Sequence, residues 1–206
     1  MTNGIPSCSA PADRTRVTPT RLPAVIIRRA GMGDIEAVCE EVCRLGEVSA
    51  TAAHWPITAY RAYLARKNAE ENTQKKALFL ACARAESFAS SVVSGSDDTT
   101  WERIVGFAAF SAIPGMGECS LENMAVAKPW RKQGIGSRLL SAGLLWCRAH
   151  SGSGVWLEVR ASNVDAIRLY EGAGFSIAGR RPDYYSGPVE AAIQMKKALE
   201  SLRERC

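Results

Sequence analysis

The chain has 206 residues, 47% of them hydrophobic, and a formal net charge of +5. That length fits one domain with a short extension, and the apolar runs fall far below the roughly 18 residues of a membrane span. Arg14, Arg16 and Arg21 against Asp13 place +2 of the charge in the first 23 residues, so the remainder is too modest to point to direct nucleic-acid binding.

Residues 1–23 hold Ser, Thr, Pro, Gly and Arg without an apolar h-region or an amphipathic period. They are expected to be a disordered tail and not a secretory signal, with cytoplasm as the expected location. Ala24–Arg29 (AVIIRR) is a β-branched run predicted as the first strand. Gly33–Asp34 offers an N-cap before Ile35, Val38, Cys39, Val42 and Leu45, which recur at helical spacing. The turn Ala53–His54–Trp55–Pro56 leads into a second helix with Tyr60, Tyr63 and Leu64 on its apolar face.

Ala77–Ala83 is a predicted strand, Ser87–Thr100 a small, polar, aperiodic loop, and Ile104–Ile113 the next strand, with a bulge or close approach at Gly106. Glu118–Val126 follows as its hairpin partner across Pro114–Gly117. Then come a helix at Gly134–His150 with Leu139, Leu140, Leu144 and Leu145 as its buried face, a strand at Val155–Arg160 and a helix at Asn163–Ala173. Strands at Phe175–Ala178 and Glu190–Lys196 close the domain. The pattern predicts one α/β domain over 24–198, a mixed sheet with helices on both faces, and a C-terminal tail at 199–206.

Seven cysteines form no CxxC pair, and their odd number suits no disulfide framework. With only His54 and His150 to add imidazoles, free thiols in a reducing compartment account for them, and no metal is expected.

Two segments carry chemistry. After the strand ending at Val126, Ala127-Lys128-Pro129-Trp130 leads into Arg131-Lys132-Gln133-Gly134-Ile135-Gly136-Ser137, a glycine-rich turn that opens a helix. Glycines let a ligand approach the backbone, and a helix N-terminus offers unpaired N–H donors with about half a positive charge. Lys132 and Arg138 can add side-chain charge. A GxG before a helix is also an ordinary tight turn. No Lys-Ser/Thr pair follows the second glycine, which removes the nucleotide-hydrolase reading.

The second segment is VWLEVRASNVDAIRLYEGAGF, Val155–Phe175. Strand alternation puts Trp156 and Glu158 on one face, Leu157 and Val159 on the other. Taken alone, Glu158 is a solvated, salt-bridged or functional carboxylate. Asn163 suits a helix N-cap and a ligand contact at once. Tyr170, seven residues on, lies on about the same helix face and reads alone as a core aromatic.

Together, RxxGxG after an apolar strand and LEVRASN..AI.LYE..GF resemble the GCN5-related N-acetyltransferases (GNAT), within them the RimI-type ribosomal-protein-alanine N-acetyltransferases. The match is strongest over 118–185. The resemblance implies the GNAT fold: a single mixed, mostly antiparallel β-sheet with splayed central strands and helices on both faces. It implies acetyl-CoA as co-substrate, with its pyrophosphate on the turn residues Arg131, Lys132, Gln133, Gly134, Ile135, Gly136 and Ser137. The pantetheine arm would bond to the backbone of Met124, Ala125 and Val126 and touch Asn163. A backbone N–H of that strand would polarise the thioester carbonyl. Glu158 is then the general base, directly or through water, and Tyr170 the general acid that protonates the departing thiolate. Glu122, on the strand beside the cofactor, is a second candidate base that has no RimI-type counterpart. Transfer by direct attack in a ternary complex to a protein N-terminal α-amine is implied, with the N-terminal alanine of ribosomal protein S18 as the first expectation.

Arg180-Arg181 and Tyr184-Tyr185 are similar to the family's RR.YY substrate element, and a peptide acceptor would lie between a His54–Trp55 turn and a Tyr184–Tyr185 loop. Glu47 and Glu190 are candidate contacts to a basic acceptor. Three departures fall on the acceptor side: His54-Trp55 replaces Pro-Trp, Ser87–Thr100 is extra, and the loop after Tyr185 is shorter with Ala191 in place of an Asp. A small-amine acetyltransferase and a non-catalytic acyl-CoA-binding module are the alternatives.

Overall fold

A computed structural model describes residues 24–48, 55–64, 75–84, 102–113, 115–150 and 152–200. The expected N-terminal tail, His54, the 87–100 loop and residues 201–206 lie outside them, as do the side chains of Cys39, Cys43 and Glu47. The strands are β1 (Val25–Arg29), β2 (Lys75–Arg84), β3 (Glu102–Ile113), β4 (Glu118–Val126), β5 (Gly154–Arg160), β6 (Ser176–Ser186) and β7 (Val189–Ala198). The helices are α1 (Ile35–Val48), α2 (Ile57–Leu64), α3 (Ile135–Ala149) and α4 (Val164–Gly172), with 3-10 turns at Met32–Asp34 and Lys128–Trp130.

The described strands form one sheet in the order β1-β2-β3-β4-β5-β7-β6, antiparallel throughout except for β4 against β5. Its two faces carry two apolar cores. Val38, Val42 and Leu45 of α1 pack with Tyr60, Tyr63 and Leu64 of α2 against Leu78, Leu80 and Phe107. On the other face α3 and Tyr170 of α4 pack against Phe79, Val105, Phe110, Val155 and Leu157. For α1 and α2, the described members of the helical periods read in the sequence are buried.

The Asp34 carboxylate, just ahead of α1, accepts from both terminal nitrogens of Arg28, at 2.9 and 2.8 Å, and from the Gly31 N–H at 2.8 Å. The guanidinium fork makes two charge-assisted bonds at once, which ties β1 to the helix start.

The buried face of α3 is also rotated from its leucines. Ile135, Leu139, Leu140, Gly143, Trp146 and Cys147 are buried, Leu144 is half-buried and Leu145 is 63% exposed. Gly143 is the reason: a Cβ there would lie 1.9 Å from Phe110 Cε2. The helix meets the sheet where it has no side chain, and Leu145 is turned to solvent.

Two bulges shape the centre. Between β2 and β3, Ala81 pairs with Gly106 and Cys82 with Ile104, so Val105 is the extra residue. Gly106 beside it makes the close approach as well, since a Cβ would meet the Ala125 carbonyl oxygen at 3.0 Å. Between β3 and β4, Phe110 pairs with Leu121 and Ala109 with Asn123, leaving Glu122 as the extra residue. An extra residue shifts the strand's alternation by one. Cys119 and Leu121 therefore face the α3 core, whereas Ala125 faces the α1–α2 core and Met124 and Val126 return to the α3 side.

The parallel pairing of β4 and β5 ends at Leu121 opposite Leu157. From Glu122 and Glu158 onward the strands part, which is the expected splay. The last hairpin is longer than the sequence suggests. Tyr184 and Tyr185 sit inside β6 and not in a loop, because this edge strand accommodates Pro182 and an irregularity between Arg181 and Tyr185, with Asp183 at φ 49°.

Candidate active site

The parted strands open on a groove of about 720 Å³ between the end of β4, the turn before α3 and the start of α4. Of the residues expected to hold a cofactor, Met124, Ala125, Val126, Arg131, Lys132, Gly134, Ile135, Gly136, Ser137 and Asn163 line it. Gln133 does not; its amide nitrogen donates to the Pro129 carbonyl at 3.0 Å and braces the turn from behind. Arg138 is also directed elsewhere, donating to the Val25 carbonyl at 2.8 Å.

The turn owes its shape to Lys132 at φ 60° and Gly134 at φ 75°, the left-handed region that glycine enters without strain. Arg138 N–H makes the first bond of α3 along the chain, to the Gly134 carbonyl, so the amides just before it point out of the helix end. Arg131 fixes the turn to β4 by donating to the Val126 carbonyl at 2.9 Å. Lys132 pairs with Asp165 across the groove at 2.5 Å, and the lysine holds the Asp165 carboxyl below its usual range. Gly136 lies close under α4, where a Cβ would meet Leu169 Cδ2 at 3.2 Å. Asn163 caps α4 by accepting from the Ala166 N–H at 3.2 Å, which leaves its amide nitrogen for the groove.

Behind the parting point the groove narrows to a neck of about 60 Å³, lined by Glu122, Met124, Glu158, Asn163, Tyr170 and Tyr185 among others. Glu158 and Tyr170, chosen from sequence as the two proton carriers, meet here. Burial among apolar groups raises the Tyr170 phenol well above its ordinary value, so it keeps its proton through the neutral range. Glu158 accepts from the Gln194 amide at 3.2 Å and pairs with Arg181 at 3.1 Å. Tyr184 bonds to the same carboxylate, and that bond raises the phenol's pKa.

The neck opens on the opposite side into a pocket of about 490 Å³. Trp55, Tyr184 and Tyr185 line it as expected, joined by Trp156, Glu122 and Gln194. Arg160 stacks 4.2 Å from the Tyr185 ring centroid and donates to the Gly187 and Pro188 carbonyls, fixing that tyrosine. Glu190, a candidate acceptor contact from sequence, does not line this pocket. It closes the β5–α4 turn, accepting from the Ser162 N–H at 2.5 Å and pairing with Arg160 at 3.3 Å.

Sequence reasoning missed several lining groups: Trp130, Asp165 and Arg168 on the groove, and Gln194 in the pocket. Asp165 and Arg168 carried a legible signal, lying on the exposed first turns of the helix that Asn163 caps. Gln194 carried none, being one polar residue in an otherwise ordinary strand. Among the described residues no group of His, Cys, Asp and Glu could hold a metal, and Cys82, Cys119 and Cys147 are buried thiols outside any disulfide. No described helix is long and apolar enough to cross a membrane.

A mixed sheet that parts beside a glycine-rich helix start defines the GNAT fold. The comparisons with known proteins agree: a family model described as Acetyltransferase (GNAT) family matches residues 52–175, and the chain belongs to that family. Two curated relatives are ribosomal protein bS18-alanine N-acetyltransferases. That of Haemophilus ducreyi is 36% identical over 90 residues, which is 44% of this chain and 61% of the relative. That of Escherichia coli K12 is 41% identical over 70 residues, 34% of this chain and 47% of the relative. The chain thus matches less than two thirds of the length of either. The crystal structure of the Escherichia coli ribosomal-protein-S18-alanine N-acetyltransferase has the same fold, with a TM-score of 0.60 at 23% identity, covering 89% of this chain and 99% of that one.

Proposed function

We propose that the chain is an acetyl-CoA-dependent N-acetyltransferase acting on the N-terminal α-amine of a protein, with the alanine of ribosomal protein bS18 as acceptor. One observation carries this reading: Glu158 and Tyr170 line the same neck between a groove suited to an anionic cofactor and a separate acceptor-sized pocket.

The groove fits the cofactor. It has outward amides at a helix start, cations at Arg131, Lys132 and Arg168, a left-handed glycine where the backbone must be bare, and an unpaired β4 edge. When bound, acetyl-CoA supplies the activated acyl group and a thiol leaving group. The amides of the turn over 132–137 hold phosphate oxygens, and the backbone of Met124–Val126 aligns an extended arm beside the edge. An N–H of this strand favours negative charge where the carbonyl oxygen comes to lie.

Glu158 receives the proton of the attacking amine. An α-ammonium titrates near pKa ~8, so a carboxylate acting directly or through one water has little work to do at neutral pH. Arg181 and Gln194 hold that carboxylate in place at the neck. Tyr170 gives its proton to the departing thiolate. Its burial keeps the proton available at every pH where a thiol leaving group of pKa ~8.5 would need it.

The bS18 acceptor is supported by the two curated relatives and by a pocket open enough for a chain terminus. The test is intact-mass measurement of bS18 with a free N-terminal alanine after incubation with acetyl-CoA and the protein. One added acetyl on the terminal residue is expected. An unmodified bS18 alongside acetylated small amines would overturn the acceptor, and tight cofactor binding without any turnover would overturn the activity.

A further inference from the structure

The acceptor pocket holds two carboxylates with different electrostatic settings. Glu158 is matched by the Arg181 guanidinium at 3.1 Å and takes further bonds from Gln194 and Tyr184. Glu122 faces it from the other parted strand. Among the described residues the partner of Glu122 is the Tyr63 hydroxyl alone, which donates at 2.5 Å. A phenol orients a carboxylate and leaves its charge in place. The pocket's uncompensated negative charge therefore belongs to Glu122, not to the presumptive base.

Three further features show that this placement is built. Glu122 is the extra residue of the β4 bulge, a device that re-aims a side chain at a site. Tyr63, which holds it, is a buried core residue of α2, and Trp55 stacks on it with ring centroids 5.3 Å apart. Around the carboxylate the pocket presents the rings of Trp55, Trp156, Tyr184 and Tyr185, which also favour a cation. The nearby cations rest on rings and not on this carboxylate. Lys76 lies 5.0 Å from the Tyr63 ring centroid, Lys196 lies 4.6 Å from that of Trp156, and Arg181 lies 5.6 Å from that of Tyr184.

We propose that Glu122 is the specificity-determining residue that selects an alkylammonium acceptor, binding the amine as a cation before its proton passes to Glu158. Binding and deprotonation are thus divided between two carboxylates. Glu122 supplies the attraction, and Glu158, already neutralised by Arg181, attracts the ammonium weakly and is left to take the proton. This assignment uses the acetyl-transfer reading only in treating the pocket as the acceptor side.

The test uses the full chain and two short alanine peptide amides that cannot be acetylated. One carries a trimethylammonium group at its N-terminus, and the other carries the neutral tert-butyl group of the same shape. Binding is followed by NMR titration in the presence of coenzyme A. The wild type is expected to prefer the cationic peptide by about tenfold, since a charged partner on a part-exposed carboxylate is only partly screened. Glu122→Gln, which keeps a side-chain acceptor for Tyr63, should reduce the preference to about twofold or less, Tyr63→Phe should fall between, and Glu158→Gln should retain most of it. In the wild type the preference should also shrink as salt is raised, while the neutral peptide's affinity stays level.

No preference in the wild type, no binding of the cationic peptide, a flat salt response, a preference surviving in Glu122→Gln or one lost only in Glu158→Gln would each overturn the proposal. With active enzyme, Glu122→Gln should raise KM for the acceptor amine and leave KM for acetyl-CoA unchanged. A fall in kcat alone would make Glu122 the base instead. If the cation preference holds but bS18 and small amines stay unmodified, the acetyl-transfer reading fails and this one stands.

Discussion

The two sides of the parted sheet are built by different means. The groove proposed for the donor offers a helix start, a left-handed glycine and an unpaired strand edge, all from residues 124–137 and 162–169. The pocket proposed for the acceptor is made of side chains, brought together from the approach to α2 and from β4, β5, β6 and β7. Backbone recognition ignores side-chain identity, so the groove suits a fixed cofactor and tolerates drift elsewhere. A pocket of converging side chains changes with every substitution, which suits a part that must select one acceptor among many.

Changes to the two proton carriers at the neck should lower kcat, and changes on either flank should raise one KM and spare the other. Glu158→Gln is expected to lower kcat by about 10²- to 10⁴-fold with little change in either KM, measured by CoA release. Tyr170→Phe should lower kcat by about 10²-fold. Because burial raises this phenol, the wild-type rate should show no descending alkaline limb below pH ~10, the value at which an unburied tyrosine would lose its proton. A limb near neutrality would remove Tyr170 from the acid's role.

On the donor flank, Gly134→Val forces a β-branched residue to φ 75° at a cost of about 1–2 kcal/mol. KM for acetyl-CoA should rise about tenfold while KM for the acceptor stays level. Trp55→Ala should do the reverse, raising acceptor KM several-fold and sparing acetyl-CoA. A mixed pattern in either variant would break the division between the flanks.

The smallest effect lies far from both. Arg28 hydrogen bonds hold the Asp34 carboxyl below its ordinary 3.8, so this contact is fully present above that pH and is lost as pH falls through the lowered value. The pair is only part-buried, and solvent screening limits its worth to about 1 kcal/mol. Thermal unfolding of wild type and Asp34→Asn should differ slightly at neutral pH and converge in strong acid.

The donor side was largely legible in the sequence because its signal is local. Ten of the eleven residues expected to hold the cofactor line the groove, and the exception, Gln133, lies behind the turn it was assigned to. Glu158 and Tyr170 were picked out through resemblance, and strand alternation and helix spacing supplied only their faces. The acceptor side was only half legible. Trp55 and both tyrosines were found through resemblance, yet β6 was cut short because Pro182 reads as a loop, and the bonds that hold Glu190 outside the pocket, to Arg160 of β5 and to Ser162 in the turn after it, leave no local pattern. The rotated face of α3 shows the same limit. Its leucines mark hydrophobicity, but Gly143 decides the orientation through a contact with Phe110 that no local pattern encodes.

The extra residue at Glu122 has a consequence for how this strand can vary. Ahead of it Cys119 and Leu121 serve one hydrophobic layer, and beyond it Ala125 serves the other. Deleting Glu122 would restore plain alternation and keep both halves on their layers, while removing the carboxylate from the cleft. Deleting or inserting a residue nearer either end would turn part of the strand over and send apolar groups into water. The two layers have no need of the extra residue; only the cleft does.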